Sequence, residues 1–399
     1  MKIFIGTVNI AGQLLDYAKG FQQLGHEVTV GTVDGMHPFS YATDQFIDLS
    51  QKISKWTKCL DKLERKKISF IKEIPKAWEI LKNVWYYDIF LFQWPGYSFT
   101  YGNKEYALIK KLKKRIVQVC NGDDTRHWTA FLQEYGEDLS ACSEYYAKDP
   151  IERPYTNLRH SEKYADLIIS RPSHAGMALL PYLHFFYPVD LSEFTAYFPE
   201  RKIPRIVHAP SARGVKGSDI IEQALQTLRR EGVDFELDLL EGRPNAEVKV
   251  ALEKADIAID QLLLADYGKF AIEAAASGCA VAVCDDPVRQ YIPAERPFCR
   301  IDKKNIVPQL KKLITDTKYR NKCAKTCHRY AAEYHNCKTV CEKVLLALDK
   351  PWVLRHEFYK PTFYAEKFDS PIKQNAKAKS MDLSVSKKAR IYFDKIWGS

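Results

Sequence analysis

The sequence predicts an α/β protein made of two doubly wound domains, and three observations support this prediction. Short apolar runs alternate with amphipathic segments along the 399 residues, which is the pattern of repeated βαβ units. This pattern starts twice, at Lys2 and again near Arg205. In addition, 46% of the residues are hydrophobic, which is enough to fill two cores.

The first series opens with a strand over Lys2–Gly6. Helical spacing of the apolar residues over Ala11–Leu24 predicts the helix that follows, and Gly25 ends it. The next strand begins at Glu27–Val30, so the chain starts as a βαβ unit with a right-handed crossover. Further strands are predicted at Asp88–Phe92, Arg115–Val119 and Leu167–Ser170, and helices within the basic, aromatic segment Gln51–Trp85.

The second series shows the same alternation. Its predicted strands are Ile206–His208, Phe235–Leu240, Ile257–Asp260 and Ala280–Val283, and its predicted helices include Ser218–Glu231 and Ala246–Lys254. The domain boundary is placed near Tyr187–Asp190, ahead of a polar, aromatic stretch that ends at Pro204. The predicted division is therefore 1–189, 190–350 and a C-terminal extension at 351–399, in which Lys387–Trp397 is an amphipathic helix.

Composition restricts the classes of partner and compartment. A net charge of +10 favours acidic partners such as nucleotide phosphates, anionic lipid or nucleic acid, although a merely soluble basic surface explains it equally well. Asn9, Gln13 and Asp16 interrupt any apolar run at the start, and no segment approaches the roughly 20 apolar residues of a membrane span. Ten cysteines without an export signal predict a reducing cytoplasm.

The segment Gln261–Val283 has the most definite local pattern. A loop carrying Tyr267 and Gly268 opens a helix of small residues around Glu273, and an apolar strand follows. This pattern predicts Glu273 in about the first turn of the helix, where free backbone N–H groups form an anion site.

Two further loops follow predicted strands. The turn Gly6–Gly12 lies between a strand and a helix, although an ordinary βα turn would look the same. The loop His208–Ser218 contains Arg213 and Lys216, whose charges suit a diphosphate, and two glycines that would let the backbone approach it. A solvated cationic loop is the alternative interpretation.

Four segments together resemble the donor-binding half of the GT-B glycosyltransferases, specifically the large retaining family 4: His208–Ser218, Glu241–Gly242, Asp256–Gln261 and Asp266–Val283. The resemblance spans roughly residues 1 to 345 by the order of its motifs. The matching elements are Lys216–Gly217, Tyr267–Gly268 and Glu273–Ala274 in the second half, and Gly12, Leu24–Val28 and Asn121–Arg126 in the first.

The resemblance implies two Rossmann-like domains that face each other across a cleft. The N-terminal domain would bind the acceptor, the C-terminal domain would bind the nucleotide sugar, and the extension would pack back on the N-terminal domain. The implied activity is the retaining, metal-independent transfer of a sugar from a nucleoside diphosphate sugar, UDP- or GDP-linked, to a saccharide or lipid-linked acceptor. Surface polysaccharide biosynthesis is the implied pathway, with the nucleotide sugar as co-substrate and no further cofactor.

The same resemblance assigns roles to single residues. Glu273 would hold the ribose hydroxyls, and Arg213 and Lys216 would bind the diphosphate. Gly12 would lie across the cleft near the phosphates, while Asp124, Arg126 and His127 would face the cleft from the acceptor side, with His127 the candidate for catalysis. The backbone of Tyr267, Gly268 and Lys269 would face the donor sugar, and Glu241, Gly242 and Arg243 would lie near the nucleobase.

The sequence departs from the family pattern at two positions. Ala265 stands where the first glutamate of the family's pair is expected, and Asp266 could replace it only if the loop shifts by one residue. Ser211 stands where the family's arginine would be, so Arg213 would have to reach the diphosphate from its own position. These departures affect the donor-sugar contact more than the nucleotide contact.

A metal site is disfavoured. The segment Asn321–Leu348 contains four cysteines and two histidines but reads as helical, and buried thiols explain it better than zinc. Asp123–Asp124 and Asp285–Asp286 are typical of turns or helix caps.

Other partners and functions stay open at this stage. The basic patches Lys52–Lys67 and Lys104–Arg115 would suit a peripheral membrane surface, although a solvated helix face is as good an explanation. A nucleotide-sugar epimerase on the same fold and a non-catalytic nucleotide-sugar-binding protein are the alternatives to a transferase. Nucleic-acid binding is disfavoured because the basic residues form no recognition motif.

Overall fold

A computed structural model describes most of the chain. The residues described are 1–32, 46–48, 82–99, 103–128, 131, 152–264, 266–285, 297–361 and 376–398. They divide into two compact units. Unit 1 comprises the described residues of Met1–His127, Pro150–Phe185 and Cys341–Ser399, and unit 2 those of Trp128–Asp149 and Phe186–Val340.

Unit 1 is built on an eight-stranded sheet. Its strands are β1 (Lys2–Thr7), β2 (Glu27–Thr32), β3 (Phe46–Asp48), β4 (Ile89–Gln93), β5 (Arg115–Val119), β6 (Leu167–Ser170), β7 (Tyr182–His184) and β13 (Phe358–Tyr359). They lie in the order β13-β7-β6-β5-β4-β1-β2-β3, and only the β13–β7 pair is antiparallel. The strand order reverses between β1 and β4, as in the Rossmann fold, which places a crevice at their carboxyl ends.

The strands of unit 1 are apolar because both faces of the sheet are covered. All five residues of β4 are buried, as expected for a central parallel strand. The helices of this unit are α1 (Gln13–Gln23), α2 (Tyr106–Lys111), α3 (Glu152–Tyr164), most of α10 (Cys337–Asp349) and α11 (Ala376–Trp397). Helix α11 packs on α3, and Tyr392 Oη donates to the carbonyl oxygen of Asp166 at 2.6 Å.

Unit 2 is built on a five-stranded, all-parallel sheet. Its strands are β8 (Arg205–His208), β9 (Glu236–Leu239), β10 (Ile257–Ile259), β11 (Ala280–Val283) and β12 (Cys299–Arg300). Their order is β12-β11-β10-β8-β9, so this sheet reverses between β8 and β10. The helices are α4 (Arg213–Lys216), α5 (Ser218–Arg230), α6 (Asn245–Leu252), α7 (Lys269–Ala276), α8 (Ile306–Thr315) and α9 (Thr317–Tyr330).

Two apolar clusters cover the two faces of the unit 2 sheet. Successive residues of a strand point to opposite faces, so Ile206 belongs to one cluster and Val207 to the other. The first cluster includes buried residues of α5 and α8, and the second those of α6 and α7. This arrangement fixes α7 against the carboxyl ends of the central strands.

The structure confirms most predicted elements. Strands β5, β6 and β11 have the predicted bounds, because each is mostly apolar and almost entirely buried. The short strands β3, β7, β12 and β13 were not predicted. Of Gln51–Trp85, only residues 82–85 are described, and they are helical.

Three local predictions are corrected. Part of the predicted loop His208–Ser218 is the short helix α4, which ends at Gly217 with φ of +71°. The predicted helix Asn321–Leu348 is interrupted at Asn336, whose ψ of 126° is extended and which pairs with Val189. The C-terminal helix begins at Ala376 rather than Lys387, because the polar residues ahead of Lys387 continue the helix.

The two units and the predicted domain division have different bounds, and the division at 189 and 350 stays a prediction. The chain changes unit between Phe185 and Phe186, ahead of the predicted boundary at 189, and returns at Cys341, ahead of the predicted extension. The reason for the early return lies in α10, where the buried Cys341 donates its thiol hydrogen to the carbonyl oxygen of Tyr17 in α1. The acceptor and donor roles of the two domains stay predictions.

Candidate functional site

The carboxyl edge of the unit 2 sheet brings three predicted segments together. The segment after β8 carries α4, the segment after β10 begins at Asp260, and the N-terminus of α7 lies beside both. This is the strand reversal between β8 and β10, where open α/β sheets form their ligand crevice.

Lys216 is the most constrained cation of this edge. Its Nζ donates to Asp260 Oδ1 at 2.7 Å and to Gln261 Oε1 at 2.6 Å. The backbone N–H of Leu262 also donates to the carbonyl oxygen of Lys216, which joins α4 to the loop after β10. Because Asp260 is almost fully buried, the ammonium group is held in one place rather than sampling solvent.

Gly268 lies against the same ion pair. Its N–H donates to Asp260 Oδ2 at 2.6 Å, so one carboxylate joins Lys216 to the residue that precedes α7. A Cβ atom at this position would lie 3.1 Å from Asp260 Oδ2 and 3.3 Å from Lys216 Nζ. The absence of a side chain is therefore what allows the backbone to approach the pair.

Glu273 is buried, and two polar neighbours hold its carboxylate. Asn245 Nδ2 donates to Glu273 Oε2 at 3.2 Å, and Lys269 Nζ lies 3.6 Å from Glu273 Oε1. Helix α7 begins at Lys269, directly after Gly268, as the sequence pattern predicts, and Glu273 is its fifth residue, just past the first turn.

Arg213 differs from Lys216 in its charge environment. Its guanidinium contacts Asp219 Oδ1 at 2.5 Å, Glu222 Oε1 at 2.7 Å and Glu241 Oε2 at 3.1 Å. These three carboxylates raise the pKa of Arg213 further above its ordinary value. The predicted diphosphate cation is thus surrounded by more negative charge than it carries.

The predicted nucleobase segment forms an exposed turn after β9. Gly242 has φ of +63°, which turns the chain between Glu241 and Arg243. Glu241 pairs with Arg213, and Arg243 lies 3.8 Å from Glu247 on the next turn of α6. All three predicted residues are exposed.

Tyr267 and Asp266 precede Gly268, and both side chains are buried in the protein interior. The Tyr267 hydroxyl lies 3.1 Å from Tyr330 Oη and 3.2 Å from His335 Nε2, and its ring packs 4.9 Å from that of Phe298. Only its backbone can therefore face a ligand. Asp266 Oδ1 accepts from the N–H of Tyr267 at 2.8 Å, and Ala265 lies outside the described residues.

The predicted buried cysteines agree with the local environment. Burial raises the pKa of Cys327 to about 12, and its thiol donates to the carbonyl oxygen of Pro297. His335 Nδ1 donates to the carbonyl oxygen of Tyr187 at 2.9 Å. Within the described ranges, no three His, Cys, Asp or Glu side chains are grouped closely enough to hold a metal ion.

The predicted residues of the N-terminal half lie in unit 1. Gly12 precedes α1 with φ of +73°, a conformation that favours glycine. Asp124 accepts from the N–H groups of Asn121 and Gly122, and burial raises its pKa to about 6. Arg126 pairs with Asp123, whereas burial lowers the pKa of His127.

Three residues of this site were not assigned a role from the sequence. Asp260, Gln261 and Asn245 all contact a predicted residue. A signal did exist for Asp260 and Gln261, because they come directly after a buried strand. Asn245 had none beyond its place at the start of a helix.

The comparisons with known proteins rest on structure. No family model matches the sequence, and no curated protein is significantly similar to it. Sucrose-phosphate synthase from Thermosynechococcus elongatus aligns with 89% of this chain and 100% of its own, at a TM-score of 0.54 and 10% identity. WaaG, a glycosyltransferase involved in lipopolysaccharide biosynthesis, aligns with 88% of this chain and 100% of its own, at a TM-score of 0.51 and 13% identity.

A variant of S. aureus TarM in complex with fondaparinux, α-GlcNAc-glycerol and UDP aligns with 87% of this chain and 99% of its own, at a TM-score of 0.53 and 10% identity. At such identities these likenesses concern the fold. The chain has the α/β fold of parallel, Rossmann-like sheets that is found in GT-B glycosyltransferases, and the predicted fold class is confirmed.

Proposed function

We propose that this protein is a glycosyltransferase that moves a sugar from a nucleoside diphosphate sugar to a saccharide or lipid-linked acceptor. One observation carries the proposal. Lys216, Gly268 and Glu273, which the sequence resemblance assigns to the donor, lie around a single strand reversal in unit 2. The fold supports the proposal only by analogy, because one fold can host several different chemistries.

Lys216 would stabilise the leaving diphosphate. Two of its three N–H groups donate to Asp260 and Gln261, so the third can donate to a phosphate oxygen. A cation that is already oriented costs no reorganisation when negative charge develops on the leaving group. The first N–H groups of α7, which have no acceptor within the helix, would add a second set of donors.

Glu273 and Asn245 would hold the ribose. A carboxylate can accept about four hydrogen bonds, and Glu273 accepts one from Asn245 Nδ2. Asn245 Oδ1 is buried and accepts no hydrogen bond from the described residues, so it offers a further acceptor. A vicinal diol matches these oxygens, whereas a second phosphate would be repelled by the carboxylate.

The finer features of the proposal rest on the family resemblance. They are transfer with retention, a UDP- or GDP-linked donor, independence of a metal ion, and a role in surface polysaccharide biosynthesis. Arg213 offers little net positive charge to a phosphate, because three carboxylates already surround it. We therefore assign the main phosphate contact to Lys216.

A peripheral position at the cytoplasmic face of a membrane is part of the proposal. No helix among the described residues is long and apolar enough to cross a bilayer. Exposed Trp352 and Ile391 lie on two segments of unit 1 that contact each other, Pro351–Glu357 and α11. Basic side chains such as Lys387 and Lys395 share these surfaces and would attract anionic lipid.

The donor site is tested by thermal unfolding with UDP, GDP, ADP, CMP and their sugars. One nucleotide family should stabilise the wild-type protein by mass action. Glu273→Gln should lose most of that stabilisation, whereas Glu253→Gln, an exposed carboxylate at the end of α6, should keep it. If no nucleotide stabilises the protein, or if both variants behave as wild type, the site assignment is wrong.

Turnover is tested separately with the nucleotide sugar identified in this way. A transferase consumes the donor faster when a neutral oligosaccharide acceptor is added, and the anomeric configuration of the product reports retention. Conversion of the donor without an acceptor would identify an epimerase instead. Binding without any turnover would identify a non-catalytic protein.

A further inference from the structure

Four side-chain amides converge at the carboxyl edge of the unit 1 sheet. Asn9 lies two residues beyond β1, Gln13 is the first residue of α1, Gln93 ends β4, and Asn121 lies two residues beyond β5. They come from three segments, the β1–α1 connection and the carboxyl ends of β4 and β5, which are neighbours in the sheet. We call these four residues the amide cluster.

Hydrogen bonds connect three members of the amide cluster. Gln93 Nε2 donates to Gln13 Oε1 at 3.4 Å, and Gln13 Nε2 donates to Asn121 Oδ1 at 3.2 Å. Gln13 therefore lies in the middle of the chain, with Gln93 and Asn121 at its ends. The hydrogen bonds within the cluster do not use all of its amide oxygen and nitrogen atoms.

The outer polar atoms are buried without protein partners. Among the described residues, Asn9 Oδ1, Asn9 Nδ2, Gln93 Oε1 and Asn121 Nδ2 have no solvent exposure and no hydrogen bond. A buried polar group without a partner is costly, so such groups in native proteins usually meet water or a ligand. Four of them at the ligand-binding edge of a sheet indicate a ligand.

A second buried amide in the same sheet shows the contrast. Gln118 lies within β5, donates to the carbonyl oxygen of Phe92 at 3.0 Å and accepts from Tyr106 Oη at 2.6 Å. Both ends of this amide are satisfied by protein. Among the described residues of unit 1, the side-chain amides that have a buried atom without a hydrogen bond are Asn9, Gln93 and Asn121, all at this edge.

The charged groups beside the amide cluster are already engaged. Asp124 accepts two backbone hydrogen bonds, and Arg126 contacts Asp123 at 2.9 Å and the carbonyl oxygen of Ser173 at 3.0 Å. The unsatisfied atoms are two neutral donors and two neutral acceptors. A neutral ligand with several hydroxyl groups fits this set, because each hydroxyl both donates and accepts.

We propose that the amide cluster is a binding site for the hydroxyl groups of a neutral saccharide. The choice of a saccharide among neutral polyols rests on the proposed transferase function. The binding itself involves only residues of unit 1. It can therefore be measured without a nucleotide.

The binding experiment uses maltotriose, cellotriose and chitotriose as probes, with saturation-transfer NMR followed by calorimetry. At least one should bind the wild-type protein, and Gln93→Met and Asn121→Leu should weaken it about tenfold or more, since each removes a buried hydrogen bond. Gln118→Met should leave the dissociation constant within about twofold, since its partners are not at the edge. Binding of none of the three probes, or equal binding by all variants, would overturn the proposal.

A stability measurement distinguishes a ligand site from a structural network. Gln93→Met removes an unsatisfied oxygen together with the long, 3.4 Å hydrogen bond to Gln13 Oε1, so the melting temperature should change little. Gln118→Met leaves Tyr106 Oη and the carbonyl oxygen of Phe92 without a hydrogen-bond partner and should lower the melting temperature. Equal losses for both variants would mean that bound water satisfies Gln93 as part of the fold, which would contradict the proposal.

The two proposals fail in different ways. If the saccharide binds but no nucleotide does, the proposal for the amide cluster is supported and the proposed transferase function is wrong. If a nucleotide stabilises the protein but no saccharide binds, the nucleotide site is supported and the proposal for the amide cluster is wrong. Gln93→Met should in either case keep the nucleotide response, because unit 2 is unchanged.

Discussion

Lys216 Nζ lies 2.7 Å from Asp260 Oδ1, and the second oxygen of this carboxylate accepts from the N–H of Gly268. This relationship joins two loops and the start of a helix through one buried anion. The pair is partly accessible on the lysine side and inaccessible on the aspartate side. Replacing Lys216 should therefore change stability by a different amount from replacing Asp260.

Lys216→Met should lower the free energy of unfolding by about 2–4 kcal/mol, because it leaves Asp260 buried without its cation. Adding Asp260→Asn removes that uncompensated charge, so the double variant should lose less than the sum of the single losses. Urea unfolding of the four proteins measures this coupling. Strict additivity would show that the contact contributes nothing.

Nucleotide affinity should depend more on Lys216 than on Arg213. Lys216→Met should weaken binding of the nucleoside diphosphate about tenfold or more. Arg213→Gln should weaken it less than about threefold, because three carboxylates already offset the charge of Arg213. Calorimetric titration of both variants with the nucleotide found by thermal shift gives the comparison. The opposite ranking would return the main phosphate contact to Arg213.

Three glycines of unit 2 should respond differently to alanine. Gly268→Ala places Cβ 3.1 Å from Asp260 Oδ2 without backbone strain, so it should cost about 1–2 kcal/mol and also weaken the nucleotide. Gly278→Ala places Cβ 2.4 Å from the carbonyl oxygen of Tyr197 at φ of +90°, so it should cost more than about 3 kcal/mol.

Gly232→Ala is the matched control for backbone strain. Its φ is +77°, and no atom of the described residues lies within 4 Å of the added Cβ, so only strain of about 1 kcal/mol remains. Thermal and urea unfolding rank the three. A Gly268→Ala variant with wild-type stability and nucleotide affinity would contradict the close approach at Lys216.

Asp124 should make stability depend on pH in an unusual direction. Its pKa is raised from 3.8 to about 6 by burial, so between about pH 4 and 6 the folded protein binds the proton that the unfolded chain releases. The contribution of Asp124 to the free energy of unfolding therefore falls as pH rises through this window. Relative to Asp124→Asn, the wild type should lose on the order of 3 kcal/mol between pH 4 and pH 7.

Urea unfolding at several pH values tests this slope, and the Asp124→Asn protein serves as the reference because position 124 then cannot titrate. Other acids and histidines contribute equally to both proteins and cancel in the difference. A difference that is constant with pH, or that rises, would exclude a raised pKa at Asp124.

Binding to anionic membranes should depend on the exposed surface of unit 1. Trp352 is 49% exposed and Ile391 is 72% exposed, with exposed lysines beside them. The protein should sediment with vesicles of about 30% phosphatidylserine more than with neutral vesicles, and about 0.5 M salt should reduce this. Trp352→Ser with Ile391→Ser should reduce it at low salt, whereas Trp85→Ser, at a tryptophan that is 72% exposed, should not.

The sequence predicted the fold where local pattern and burial agree. Ala280–Val283 is apolar throughout and fully buried, so its bounds followed from composition. Strand β13 has only two residues, Phe358 and Tyr359, and is a strand because β7 is available to pair with it. Pairing of that kind depends on distant residues and leaves no local pattern.

The candidate site was predictable in part for a related reason. Lys216, Gly268 and Glu273 stand out by type and by position beside predicted elements. The roles of Asp260 and Asn245 depend on contacts between residues 28 and 44 positions apart, which a linear reading does not give. For Tyr267 the resemblance assigns only the backbone to the donor sugar, and the place of its ring in the core was not predicted from the sequence.

The division of the sheets along the chain has a consequence for biosynthesis. All five strands of unit 2 lie between Arg205 and Arg300, whereas unit 1 takes its edge strand from Phe358–Tyr359 and the cover of α3 from α11. During synthesis, the second domain to begin can therefore be the first to be finished. Until Phe358–Tyr359 leaves the ribosome, β7 presents an unpaired edge, and such edges are sites of aggregation.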